Sequence, residues 1–525
     1  FDVRGSLVSP TNDWLILLNG TAKFSRSYNL TITDQAVNYV IPATAKLQVN
    51  STGCIINIGT ANSNLADLLL VGKLQIDEGT INIGSASNPV NNDIEYSSIG
   101  LPEIEVKGNG TLFVNGQIRR NASVLNGALT YKQADNSTVI INGSNAIPTR
   151  AKLEITNFGS IFNMSGTSTL RLIRGGGTSF GDLFLQAASN TVTGGTILCQ
   201  QGGIGTPQTY SIDALVPIFN LTVDGSTALN TATARVINNP LTIKGALLIN
   251  DDFSIFSGNG INVNILGNLV NNNSSNATGI NAGGYQSGSV TQLTTFASTN
   301  SNQTITGLIG NLTNFANLKV NNTFLAGTVT LDANTNIRVN TDLILTKGTL
   351  NDGGNTITSI GDRENSATHA SVATGEIICQ GSVKQFIGGN GTGKFGNLTI
   401  DNIAGVSNTA NQTVNNILNL NNGSLFIDAY VLRLAETASV TGAFSGARMI
   451  QTNGLLSDSG VVKNFAAGTA NFLFPIGSDV DYMPVNYNIT ANSVAGSIRV
   501  YPVKTQHPAT TDALDLELDY FWVVR

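Results

Sequence analysis

The side chains best suited to chemistry in this chain are carboxylates that recur at short intervals. Asp332, Asp342 and Asp352 form one series, and Asp251 and Asp252 follow Asp224 in another. Two or more carboxylates converging in one groove, alone or with Arg, Lys or calcium, are what glycosidic cleavage requires. Asp at regular intervals also serves turns, where its side chain hydrogen-bonds the backbone two residues on. That structural role is the expectation for both series. The two histidines, His369 and His507, stand far from each other and from any nucleophile motif. Cys54, Cys199 and Cys379 each sit in an apolar, strand-like context, too scattered for a disulfide framework and without a CxxC, so each is expected to be a small buried hydrophobe.

Other sources of chemistry are equally spare. The glycine-rich pieces Arg174-Gly175-Gly176-Gly177 and Gly388-Gly389-Asn390-Gly391 lack the GxxxxGK[ST] pattern of a phosphate loop and read as turns. The acidic run from Asp512 to Asp519 reads as a solvated turn or edge rather than a calcium loop. No motif specifies calcium, and no catalytic residue or cofactor is expected. Asn-x-Ser/Thr triplets such as Asn109-Gly110-Thr111 follow from the abundance of these residues. Of the aromatic side chains that bind sugars by stacking, only Trp14, Trp522 and scattered Tyr are available, and Trp522 is expected to pack in the C-terminal part.

The elements that must carry these residues announce themselves by repetition. Ile218-Phe219-Asn220-Leu221-Thr222-Val223-Asp224 returns as Phe315-Ala316-Asn317-Leu318-Lys319-Val320-Asn321 and again as Phe395-Gly396-Asn397-Leu398-Thr399-Ile400-Asp401. The Asn-Leu pairs at its centre are assigned a structural role in the repeat. Such self-similarity marks a stacked architecture. Around it, apolar residues alternate with period 2 over four to six residues, as in Thr111-Leu112-Phe113-Val114 and Ser424-Leu425-Phe426-Ile427. This is the signature of short strands. Turn-formers such as Asn115-Gly116, Asp224-Gly225, Asp352-Gly353-Gly354 and Asn422-Gly423 separate them.

A string of sandwiches and a parallel solenoid both fit this rhythm. The copies of the phrase lie 97 and 80 residues apart with no linker, Pro-rich hinge or charge shift between them, which favours the solenoid. The expected fold is all-β, a parallel right-handed β-helix followed by a C-terminal antiparallel β-sandwich-like module. Coils of ~20–25 residues, each adding one strand spacing of ~4.8 Å, would give about 18 coils and a length on the order of 85 Å. Three segments are expected: a solenoid over residues 1–215, a repeat-bearing solenoid over 216–440, and the incomplete sandwich-like module over 441–525. The opening Phe1-Asp2-Val3-Arg4-Gly5-Ser6-Leu7 and the closing Tyr520-Phe521-Trp522-Val523-Val524-Arg525 both read as strands, so further protein is expected on either side.

Composition narrows the setting. Charged residues are 11% of the chain, against roughly 25% in ordinary globular proteins, while the apolar content argues against disorder. Asn, Thr, Ser and Gly must form much of the surface, and stacked Asn and Thr on adjacent coils are placed to form hydrogen-bond ladders. A net charge of −6 without a Lys/Arg stripe gives no footprint for nucleic acid. The densest early apolar run, Trp14-Leu15-Ile16-Leu17-Leu18, is far shorter than the ~20 residues of a membrane-spanning helix.

The order Asn302-Gln303-Thr304-Ile305, then Phe315-Ala316-Asn317-Leu318-Lys319-Val320, then Thr349-Leu350-Asn351-Asp352-Gly353-Gly354-Asn355-Thr356-Ile357 resembles the repeats of very large surface proteins of Bacteroidota, including gliding-type adhesins exported by type IX secretion. Phe474-Pro475-Ile476-Gly477, Tyr482-Met483-Pro484 and Tyr520-Phe521-Trp522 look like the module that follows such repeats. The resemblance covers mainly residues 216–525, and its motifs are architectural, carrying over no catalytic residue. The family's C-terminal sorting domain is not part of this sequence, so surface localisation rests on the resemblance. It implies a non-catalytic, extracellular structural and adhesive protein. Its expected partners are other domains of a larger surface protein, copies of itself, polysaccharide or solid surfaces. A self-assembling filament subunit and a β-helix polysaccharide lyase or glycosidase are the alternatives.

Overall fold

The computed structural model describes residues 2–3, 15–33, 38–60, 66–121, 127–510 and 518–525. Trp14, most of the opening strand and most of the 512–519 acidic run lie outside them. Every regular element among the described residues is a strand, and nearly all pair in parallel with the coil before and the coil after. The chain is a parallel β-helix whose last strands pair antiparallel. It divides into two compact units, one of Phe1–Asn273 with Gly284–Gly288 and the other of Ser274–Gly283 with Ser289–Arg525.

In the first unit the coils contribute strands to three long stacks, and Leu241–Ile243 and Val263–Ile265 pair in a further sheet. One stack runs from Asp2–Val3 and Gly20–Phe24 through Glu103–Val106 and Thr130–Gln133 to Ser189–Val192. A second runs from Asn29–Thr33 through Thr111–Val114 and Thr196–Gln200 to Leu269–Asn271. The third runs from Tyr39–Ile41 through Ile118–Arg120 to Tyr285–Gln286. Ala45–Ile58 and Lys73–Ile83 are long because each serves the first stack with its beginning and the second with its end. Partners in the second stack lie 22 to 31 residues apart, so some coils exceed the expected length through loops at their corners.

The period-2 pattern is the physical basis of the stack. Leu112, Val139, Leu170, Ile197, Leu221 and Leu247 occupy successive rungs of one inward column and are all buried. Each such side chain contributes about 1.5–3 kcal/mol by leaving water. The intervening residues face outward.

The second unit repeats the plan. Its stacks run from Gln303–Gly307 to Val461–Phe465, from Leu312–Phe315 to Ser439–Gly442, and from Leu293–Phe296 to Ile476–Ser478. Partners in the first of these lie 19 to 29 residues apart. Parallel pairing persists to Val461–Phe465, which then pairs antiparallel with Gly496–Val503, itself antiparallel to Phe521–Val524. A separate hairpin joins Ala470–Phe474 to Val485–Ile489. Glycine acts in two ways at the corners. Gly353 and Gly354 adopt φ of 58° and 88°, where a side chain would be strained, whereas a Cβ on Gly225 would overlap the Phe253 carbonyl of the next coil.

Candidate functional site and contact surfaces

The repeated phrase is a device for pinning coils together. Leu221, Leu318 and Leu398 point inward and are buried. Each preceding asparagine stands at a corner and reaches both ways along the stack. Asn317 Nδ2 donates to the carbonyls of Val290 at 2.7 Å and Gln292 at 3.0 Å, and its Oδ1 accepts from the Asp342 N–H at 3.1 Å. Asn397 Nδ2 donates to the Gly375 carbonyl at 2.7 Å, and its Oδ1 accepts from the Ile417 N–H at 3.2 Å. Asn220 accepts from the Ala246 N–H at 2.8 Å and contacts the Thr196 hydroxyl at 3.5 Å. One amide thus links three consecutive coils, satisfying backbone groups that a corner leaves without ladder partners. The three copies lie in three different sheets and never stack on one another.

The carboxylates named from sequence do not form one groove. Asp332 and Asp352 share a corner, where Asn355 Nδ2 donates to both backbone carbonyls, at 2.9 and 2.7 Å, but their side chains part. Asp332 accepts from the Thr306 hydroxyl on the preceding coil. Asp342 sits at another corner and accepts from the Asp362 N–H at 3.2 Å. Asp224 accepts from Gln200 and, at 2.9 Å, from Asn250, in a surface ladder. Asp251 caps its own turn through the Phe253 N–H at 3.0 Å. No cluster of three or more His, Cys, Asp or Glu able to hold a metal occurs among the described residues.

Asp352 and His369 form a fully buried pair, Oδ2 to Nε2 at 3.1 Å. His369 Nδ1 accepts from the Gly396 N–H at 3.3 Å, so Nε2 carries the proton and donates to the carboxylate. Burial pushes the Asp352 carboxyl up, but hydrogen bonds from His369, Ser371, Gly354 and Val372 outweigh it and hold the group below the usual carboxylate range. Ser371 is bonded to the carboxylate rather than the imidazole, so the ring activates no nucleophile. His507 is exposed and packs edge-on to Phe521. The three cysteines are free and buried, and burial pushes Cys54 up to about 11. Trp522, expected to pack in the C-terminal part, is 37% exposed, and its indole N–H donates to the Met483 carbonyl at 3.1 Å.

The first unit holds an ionic cluster that periodicity did not disclose. Arg119 Nε bonds Asp93 Oδ2 at 2.6 Å, and its other end meets Glu95, its register partner. Glu154 receives Arg120 and, at 2.7 Å, Arg150, while Lys152 lies 3.4 Å from Asp182. Asp93, Glu154 and Asp182 are fully buried, so opposite charges on adjacent rungs must compensate one another. Burial, together with Asp93 and Glu95, pushes the Asp67 carboxyl up to about 7 despite a hydrogen bond from the Asp93 N–H and the pull of Arg119. The members come from separate coils, so only the register reveals them.

Two outward grooves combine ring faces with amides and hydroxyls. In the first unit, Asn82 donates to Asn57 at 2.9 Å and Asn57 to Asn29 at 3.0 Å, the kind of amide ladder that Asn on adjacent coils predicted. Beside it lies a groove of about 330 Å³ lined by Thr60, Ser85 and Phe113. In the second unit a groove of about 690 Å³ is lined by Ile403, Ser424, Phe426, Gln451, Asp479 and Val480. The Lys384 ammonium lies 3.9 Å from the Phe426 ring centroid. Phe386, Ser407 and Phe426 occupy successive rungs, which sets the Cα atoms of the two phenylalanines ~9.6 Å apart along the stack. The Gln451 amide, oriented by its hydrogen bonds, pairs with the Asp479 carbonyl at 3.1 Å and the Asp479 N–H at 3.3 Å.

Comparisons with family models, curated proteins and solved structures return no match for this chain. No helix among the described residues is long and apolar enough to cross a membrane.

Proposed function

We propose that this chain belongs to a non-catalytic structural and adhesive protein of a bacterial surface, in which stiff β-solenoid units present polar faces to polysaccharide or solid surfaces. The supporting observation is the outer face itself: an amide ladder over an apolar interior in the first unit, and in each unit a ring-bearing groove on the outside. Ring faces take the apolar face of a sugar, while Gln451, Ser424 and Asp479 offer donors and acceptors to its hydroxyls. Many weak contacts of this kind add up when a polymer engages several at once. The resemblance of residues 216–525 to Bacteroidota repeat proteins supports the same reading, including export by type IX secretion.

The test has two arms. Antibody to the chain should label intact, unpermeabilised cells of its source, and the chain should be retained on insoluble polysaccharide, with retention reduced in Phe426→Ala. Intracellular label, or no retention on any polysaccharide or solid surface, would overturn the reading. A filament subunit is the second reading, favoured by one observation. Ser439–Gly442 is the last strand of its stack and pairs on one side alone among the described residues, and its residues bring no charge to that edge. Concentration-dependent assembly in sedimentation would select it.

A further inference from the structure

We propose that the interior of the second unit holds a small monovalent anion of the halide class against Arg363, with the Ser359 hydroxyl as a further donor. Arg363 opens the strand Arg363–Asn365 and lies in register between Leu343 and Ile387, both buried in the interior. It is itself 3% exposed. Its Nε and Nη2 are buried without a hydrogen-bond partner, and Nη1 reaches only the Ser359 carbonyl, at 3.5 Å. The Ser359 Oγ is buried and unpartnered too.

The charge makes this unusual. A guanidinium stays protonated under all folding conditions, so it cannot escape burial by becoming neutral. Five Lys and Arg side chains are buried among the described residues, and four of them are compensated. Arg119, Arg120 and Lys152 face carboxylates. Lys463 donates to three carbonyls, those of Ala435, Glu436 and Asn464, at 2.6–3.0 Å. Arg363 forms no ion pair with any described carboxylate. The candidate counter-charge on the next coil, Cys379, is the register partner of Ser359. Burial pushes that thiol up, against the pull of Arg363, so it stays a neutral S–H.

Water would satisfy the free N–H groups but leave the charge unpaired in a medium of low dielectric. An anion satisfies both. The close-packed interior limits it to a monatomic or similarly small ion. Binding only to the folded unit, it raises stability with its own concentration, opposite to the screening that salt exerts on surface pairs.

The experiment uses the full chain, refolded from urea into bromide or into gluconate at equal ionic strength. The unfolding transition of the second unit should rise by about 3–5 °C per tenfold increase in bromide above its Kd, while that of the first unit does not. Arg363→Met should lose the dependence. Because that variant risks misfolding, crystals of the wild-type chain grown in bromide provide an independent reading, an anomalous peak within hydrogen-bond distance of the guanidinium. A peak there supports the site even if exchange is too slow to move the transition. No peak overturns it, whatever the transition does.

Discussion

Replacing Asn317 with Ala tests whether the phrase's asparagines pin the coils. Asn317 is buried, and the change removes its bonds to the Val290 and Gln292 carbonyls and from the Asp342 N–H. Gln292 keeps its backbone partner, the Asn317 N–H at 3.1 Å, and Val290 keeps a long contact from the Thr341 hydroxyl at 3.4 Å. The Asp342 N–H is left with nothing. One orphaned amide and one weakened carbonyl amount to about 2–3 kcal/mol. In a solenoid this loss stays near the affected coils. Native-state hydrogen exchange should therefore show protection across Leu343–Lys347 falling about 30- to 150-fold, with peptides of the first unit unchanged. Asn220→Ala loses one good bond and one marginal contact, so its local effect should be smaller, about 5- to 30-fold. Protection around residue 343 that holds within about threefold, or a loss shared equally by both units, would refute the pin.

Asp67 provides a pH test. Its carboxyl titrates near 7 in the folded chain, above its ordinary value, so the folded state holds more protons between about pH 4 and pH 7. Stability of the first unit should therefore fall as pH rises through that window. Asp67→Asn keeps an acceptor for the Asp93 N–H and should remove the fall, gaining on wild type at about pH 8 and not at about pH 4 in thermal melts. Gly405 has a φ of 78°, and a Cβ there would overlap the Phe426 ring. Gly405→Ala should destabilise the second unit by about 1–2 kcal/mol from the backbone term alone and displace the ring, weakening retention on polysaccharide as Phe426→Ala does. Unchanged retention in both variants would remove that groove from the contact surface.

The interior was legible because it depends on a local signal. Val, Ile and Leu at alternate positions in segments such as Thr111–Val114 predict which side chains face inward, and they do. Asn-Gly and Asp-Gly-Gly predict the corners by the same local chemistry. What could not be read were relations across coils. Asn317 looks like any polar residue at a strand start until residues 292 and 342 are known to flank it. Asp93, Arg119 and Glu154 look like scattered surface charges until parallel pairing stacks them. The carboxylate series reads as serving turns, and Asp251 and Asp352 do so, each accepting from the backbone N–H two residues on, that of Phe253 and that of Gly354. What the spacing did not show was their grouping: Asp342, half a coil from each, stands at a corner apart from Asp332 and Asp352.

Each polar group that the solenoid turns inward is a departure from its apolar rule and must be answered on the neighbouring coils. Asp352 is answered by His369 and by three further donors. Lys463 is answered by carbonyls and by the rings of Phe465 and Phe472. These answers tie one coil to the next more specifically than leucine packing, because a slip of one residue in register would orphan them all. Register, rather than burial alone, is then what a repetitive chain of this kind has most need to encode. Leucine columns tolerate sliding past one another, whereas an asparagine with one partner above and another below does not. On this argument the repeated Asn-Leu phrase persists because its two halves do different work, the leucine filling the interior and the asparagine fixing which coil lies next.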